Sequence, residues 1–114
     1  MKPVDQTIFG KPNVNCFQAC VASIFELELE DVPHFCAEAH GDDWHKILQD
    51  WCRERGFLPL MLKFTPGTTI SEQLPDAFVI ASGMNPDEVM HAVVWRNDEM
   101  VHDPNPSRAG IQGS

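Results

Sequence analysis

The stretch Asn15-Cys16-Phe17-Gln18-Ala19-Cys20-Val21-Ala22-Ser23-Ile24 decides how the chain reads. Its residues are apolar around most of a helical circumference, and a helix of that kind belongs at the centre of a fold. Asn15 is a suitable N-cap and Gln18, three positions on, has capping-box spacing, so the helix is expected to run from Cys16 to about Glu26. A cysteine at the first helical position meets unpaired backbone N–H groups and the positive end of the helix dipole, which favour thiolate over thiol. Free cysteines are more often simply buried than reactive. Cys20, one turn further in, takes that bland reading, on the same buried side as Phe17, Val21, Ile24 and Leu27.

Upstream, residues to Val14 read as an irregular arm broken by Pro3, Gly10, Pro12 and Asn13, with Ile8-Phe9 as its only apolar anchor and Gln6 as a notable polar group. Downstream, Leu29 to Pro33 suggests a short helical turn. Gly41-Asp42-Asp43 opens a second helix whose stripe of Trp44, Ile47, Leu48, Trp51 and Cys52 fits a 3.6-residue period and stops at Gly56. The texture then changes to strands. Leu58 to Phe64 is β-like, Thr65-Pro66-Gly67-Thr68 is a turn, and Ser71 to Leu74 is a short helical turn. Ala77 to Ala81 reads as a buried strand broken by Ser82-Gly83-Met84-Asn85-Pro86, with Phe78 and Ile80 as core. Met90 to Trp95 and Glu99 to His102 form a hairpin around Asn97-Asp98, and the residues after Pro104 carry little structural signal. Helices first and antiparallel strands afterwards make an α+β fold.

At 114 residues the chain fits a single domain, residues 1–114, with one modest core. A net charge of −9 with only eight basic residues argues against nucleic acid, which needs clustered Lys and Arg. The acidic groups at Glu26 to Asp31 and at Asp42-Asp43 read as solvated helix faces and starts. No apolar run at the start resembles a signal peptide and none is long enough for a membrane span, so a soluble, cytoplasmic chain with no membrane partner is expected. Its four cysteines, Cys16, Cys20, Cys36 and Cys52, are then expected to be reduced thiols.

Cysteine hydrolases need a thiolate, an imidazole that shuttles protons, and a carboxylate or amide that orients the ring. Cys16, His91 and Asp103 occur in that order, too far apart to meet except through the fold. Hairpin register decides the third member. With a plain two-residue turn, Val93 faces His102 and puts His102 on the His91 side. A longer connection or a bulge shifts the pairing by one and turns Asp103 toward His91, and with Pro104 following, Asp103 can also lie beyond the ladder, where the pleat does not set its direction.

Asp5-Gln6-Thr7, Asn15-Cys16-Phe17-Gln18-Ala19-Cys20, Met90-His91-Ala92-Val93-Val94-Trp95 and Val101-His102-Asp103-Pro104 together resemble a minimal papain-like cysteine peptidase domain, closest to the bacteriocin-leader peptidase group. The whole chain is also similar to small proteins of bacteria and their phages. The resemblance implies a central N-terminal helix and a second helix packed on an antiparallel sheet. It further implies a Cys16, His91 and Asp103 triad, Gln6 as oxyanion donor, no cofactor, and a peptide or protein substrate. Gln6 stands farther upstream of Cys16 than is usual in such enzymes. Two other classes compete. His34, Cys36, His40, His45 and Cys52 are dense enough to suggest a zinc-binding module, but no Cys-x-x-Cys or standard Cys/His pair is present. A papain-like binder without activity is the third reading.

Overall fold

Residues Cys16–Phe25 form helix α1, which ends where Glu26 turns left-handed at φ 58°. The structure is a computed structural model that describes residues 1–61, 69–86 and 90–111. After α1 come 3-10 turns at Leu29–Asp31 and Glu38–Asp43, helix α2 at Trp44–Glu54, a single helical turn α3 at Ile70–Gln73, and strands β1 (Phe78–Met84), β2 (Met90–Arg96) and β3 (Glu99–His102). The strands form one antiparallel sheet in the order β1-β2-β3, so the α+β class holds.

The all-round apolar character of α1 has a structural reason, because the helix lies between two clusters. Toward α2 it contributes Val21 and Ala22, packed with Val32, Phe35, Trp51 and Cys52. Toward the sheet it contributes Cys16 and Cys20, packed with Ala92 and Val94. Phe35 is fully buried and meets Phe17 and Trp51 edge to face at centroid distances of 6.0 and 5.7 Å. Phe78 and Ile80 pack from β1 against the same helix as half-buried residues.

Several expectations need correction. Asn15 sits at the N-cap position but makes no capping bond. Its side chain instead ties down the N-terminal arm: Oδ1 accepts from the Thr7 and Ile8 N–H groups at 3.0 and 2.8 Å, and Nδ2 donates to Thr7 Oγ1 and Gln18 Oε1. Gln18 Nε2 donates to the Leu29 and Val32 carbonyls, so no capping box forms. Ile8 and Phe9 are exposed and do not anchor the arm. Val4 does, packing on the core while its N–H donates to Ser23 Oγ at 2.9 Å. No strand forms over residues 57–61. Residues 62–64 of that expected strand and the turn at Thr65 to Thr68 lie outside the described residues. β1 runs through Ser82 and Gly83 to Met84, because β2 continues pairing as far as Met90. Gly83 is where Ile111 packs: a β-carbon there would stand 3.4 Å from the Ile111 side chain.

The β2–β3 turn is two residues long, with Asn97 and Asp98 at φ 50° and 68°. Both left-handed values fit a hairpin turn whose twist matches the strands. Trp95 pairs with Met100, and the register then shifts so that Val94 faces His102. Val101 is therefore an extra residue, a β-bulge, and everything after it moves by one place.

Candidate active site

That shift places the imidazole's partner. His102 is turned to the Val94 face, where Nε2 donates to the Val4 carbonyl at 2.9 Å, with Asp5 Oδ1 at 3.3 Å. Asp103 stands one residue beyond β3, and His91 Nε2 lies 2.6 Å from Asp103 Oδ1. An ionised carboxylate can only accept, so Nε2 carries the proton and Nδ1 is left for the thiol. The Cys16 thiol is the ring's other polar neighbour. Three distant segments thus meet in one line: the first residue of α1, the second residue of β2, and the residue just after β3.

All three side chains are nearly enclosed, at 7% exposure for Cys16, 5% for His91 and 2% for Asp103. Both oxygens of the Asp103 carboxylate are engaged. Oδ1 also accepts from the Asn105 N–H at 2.9 Å, and Oδ2 from the Gly110 N–H at 2.7 Å. Burial pushes its pKa up, but the bonds from His91, Asn105 and Gly110 outweigh this and hold it below the usual carboxylate range. The neighbouring Cys16 side chain raises the His91 pKa most. Burial opposes it, and the bond and charge of Asp103 add to the rise, so the ring is held above its ordinary value.

Gln6 is buried, and its backbone N–H donates to the Pro104 carbonyl at 3.0 Å. Its Nε2 donates to the Ile8 carbonyl at 3.0 Å, and the Asn15 N–H donates to the same carbonyl at 3.3 Å. The amide therefore lies beside the residue that precedes Cys16. Gln6 Oε1 has no partner. The first turn of α1 has no capping side chain.

A cavity of about 230 Å³ opens on His91 and Asp103, lined further by Asn85, Pro86, Asn105, Ser107, Ala109 and Gly110. Asn105, Arg108 and Gly110 went unremarked in the sequence. The spacing Asp103-Pro104-Asn105-Pro106 was the available signal, since two prolines around an asparagine favour a turn that folds the chain back on the aspartate.

The other thiols have different surroundings. Burial, then the charges of Cys16 and Asp103, raise the Cys20 pKa well above the usual thiol value. Burial raises Cys52 against the opposing pull of Arg55. Cys36 is exposed as a residue, yet desolvation of its sulfur and the neighbouring Cys16 raise it too. None of the four cysteines is in a disulfide. His34 Nε2 is bonded to the Asn13 carbonyl at 2.8 Å, and among the described residues no three His, Cys, Asp or Glu side chains gather as a metal site requires. Among the described residues no helix is long and apolar enough to cross a membrane. No family model, curated protein or solved structure matches the chain.

The shifted pKa values predict a pH window for stability. Asp103, depressed in the folded state, contributes stability that is complete above the unfolded value of about 3.9 and is lost as pH falls through the folded one. His91, raised in the folded state, contributes stability that is complete below about 6.5 and is lost as pH rises through its folded value. The gap in urea midpoint between wild type and Asp103→Asn is therefore expected to be widest between about pH 4 and pH 6.5 and to narrow on both sides. A gap independent of pH would show that the charged pair adds nothing.

Proposed function

We propose that the protein is a papain-like thiol hydrolase that cleaves a peptide or amide bond through Cys16, His91 and Asp103 by way of an acyl thioester. The supporting observation is the continuous line from the Cys16 thiol through the His91 ring to the Asp103 carboxylate. In the first step Cys16 Sγ attacks the carbonyl carbon while its proton passes to His91 Nδ1. The carbonyl oxygen becomes an oxyanion. The backbone N–H of Cys16 and the Gln6 Nε2 proton not given to Ile8 are its donors. Collapse restores the carbonyl, breaks the C–N bond, and passes the imidazolium proton to the departing nitrogen. Water, losing a proton to His91, then attacks the thioester, and the products are a carboxylic acid and the free thiol. Asp103 holds the ring and its tautomer throughout. Such chemistry needs a reduced thiol, as in the cytoplasm.

A p-nitrophenyl ester tests the reading because its small acyl group asks little of substrate fit. With p-nitrophenyl acetate, mass spectrometry is expected to find the acetyl group on Cys16. Nitrophenolate release is expected to fall at least about 100-fold in Cys16→Ala and about 10- to 100-fold in His91→Ala. Acetylation scattered over lysines at the same rate in wild type and Cys16→Ala would overturn it. A mixed peptide library, read for new N-termini, then identifies the bond cleaved.

A further inference from the structure

The segment from Pro104 to Ile111 folds back over Asp103 and is fastened to the opposite end of the chain. Arg108 grips Asp5 with both nitrogens, Nη1 to Oδ1 at 2.6 Å and Nη2 to Oδ2 at 3.1 Å, a two-pronged contact that fixes orientation as well as distance. Arg108 Nη1 also donates to the backbone carbonyl of Asp103 and to that of Asn105. The backbone at Arg108 is left-handed, φ 54°, a conformation few side-chain-bearing residues adopt unless something holds them there. Gly110, at φ 75°, brings its N–H onto Asp103 Oδ2, and a β-carbon there would stand 3.3 Å from Met100 Sδ. On the other strand of this clasp, Asp5 immediately precedes Gln6, whose N–H is bonded to Pro104.

We infer that the Asp5–Arg108 pair is a positioning clasp: it closes the strap of residues 104–111 so that Gly110 and Asn105 aim the Asp103 carboxylate at His91, and it ties the Gln6 segment to that carboxylate. The inference rests on the reading of His91 and Asp103 as working partners. Arg108 is a positioning residue and touches no substrate. Both partners of the pair are about half exposed, so its loss is expected to loosen the carboxylate and not to unfold the chain.

The test is NMR titration of the His91 ring in the full chain carrying Cys16→Ser, which removes the thiol and leaves Asp103 as the titratable group facing the imidazole. In that background Arg108→Ala is expected to lower the His91 midpoint by about half a unit or more, as the carboxylate drifts from the ring. Asp5→Asn is expected to act in the same direction, and the double variant to fall no further than Arg108→Ala alone. An unchanged midpoint in Arg108→Ala overturns the clasp, and so does a double variant that falls further than Arg108→Ala alone. The readout does not use the thiol, so failure of p-nitrophenyl acetate to acylate Cys16 in the wild type would overturn the hydrolase reading separately.

Discussion

Iodoacetamide at near-neutral pH is expected to alkylate Cys16 at least about 30-fold faster than Cys20, Cys36 or Cys52, and His91→Ala is expected to slow that reaction about tenfold or more. The four thiols make an internal comparison. Cys20 is fully enclosed, and its charged form is opposed by burial and by the neighbouring Cys16 and Asp103. Cys52 is enclosed in the α2 cluster. Cys36 has the best access of the four, but its pKa is raised, so little of it is thiolate near neutrality. Among the described residues, Cys16 is the thiol that stands beside an imidazole able to take its proton. Peptide mapping of the alkylated protein over time reads all four rates at once. Equal, slow labelling would remove the nucleophile assignment, and labelling led by Cys36 would show that access outweighs the imidazole.

Phe35→Ala is expected to cost about 3–5 kcal/mol, which in a domain of this size lowers the thermal midpoint by about 10–20 °C. The ring is fully buried and bridges Phe17 on α1 and Trp51 on α2, so its removal leaves a cavity between two elements that no nearby side chain can fill without moving one of them. Phe57 is the control: it also packs edge to face, on Phe25 at 5.0 Å, but is 58% exposed. Phe57→Ala is expected to cost under about 1.5 kcal/mol. Thermal or urea unfolding of both variants checks the difference, and equal losses would mean that Phe35 is not the keystone between the helices.

Much of the fold was legible in the chain because hydrophobic period and turn chemistry are local. The stripe from Trp44 to Cys52 and the left-handed pair Asn97-Asp98 each specify their element without help from elsewhere. Cys16, His91 and Asp103 could be singled out for the same reason, since each stands at a recognisable boundary of an element. Their meeting could not be read. It depends on the extra residue Val101, and whether a strand bulges is settled by what its far end must pair with, in this case His102 with Val94 and with the Val4 carbonyl. Asn15 misled for a related reason. A capping box is the best local use of Asn15 and Gln18, but tertiary partners at Thr7, Ile8, Leu29 and Val32 took both side chains. Among the described residues, Leu58 to Met61 failed as a strand because apolar texture alone supplies no partner to pair with.

The clasp also sets a timetable for folding. Asp5 and Arg108 are 103 residues apart in the chain, and Val4 and His102 are 98 apart. Closing loops of that length costs more chain entropy than forming the cluster between α1 and α2 or the hairpin, which join nearer neighbours. During synthesis, Cys16 emerges early and waits as an ordinary thiol. Its imidazole acquires an aimed carboxylate only after residue 110 has left the ribosome and the two end segments have joined. A chain made in this order brings the Asp103 carboxylate under the aim of Gly110 last.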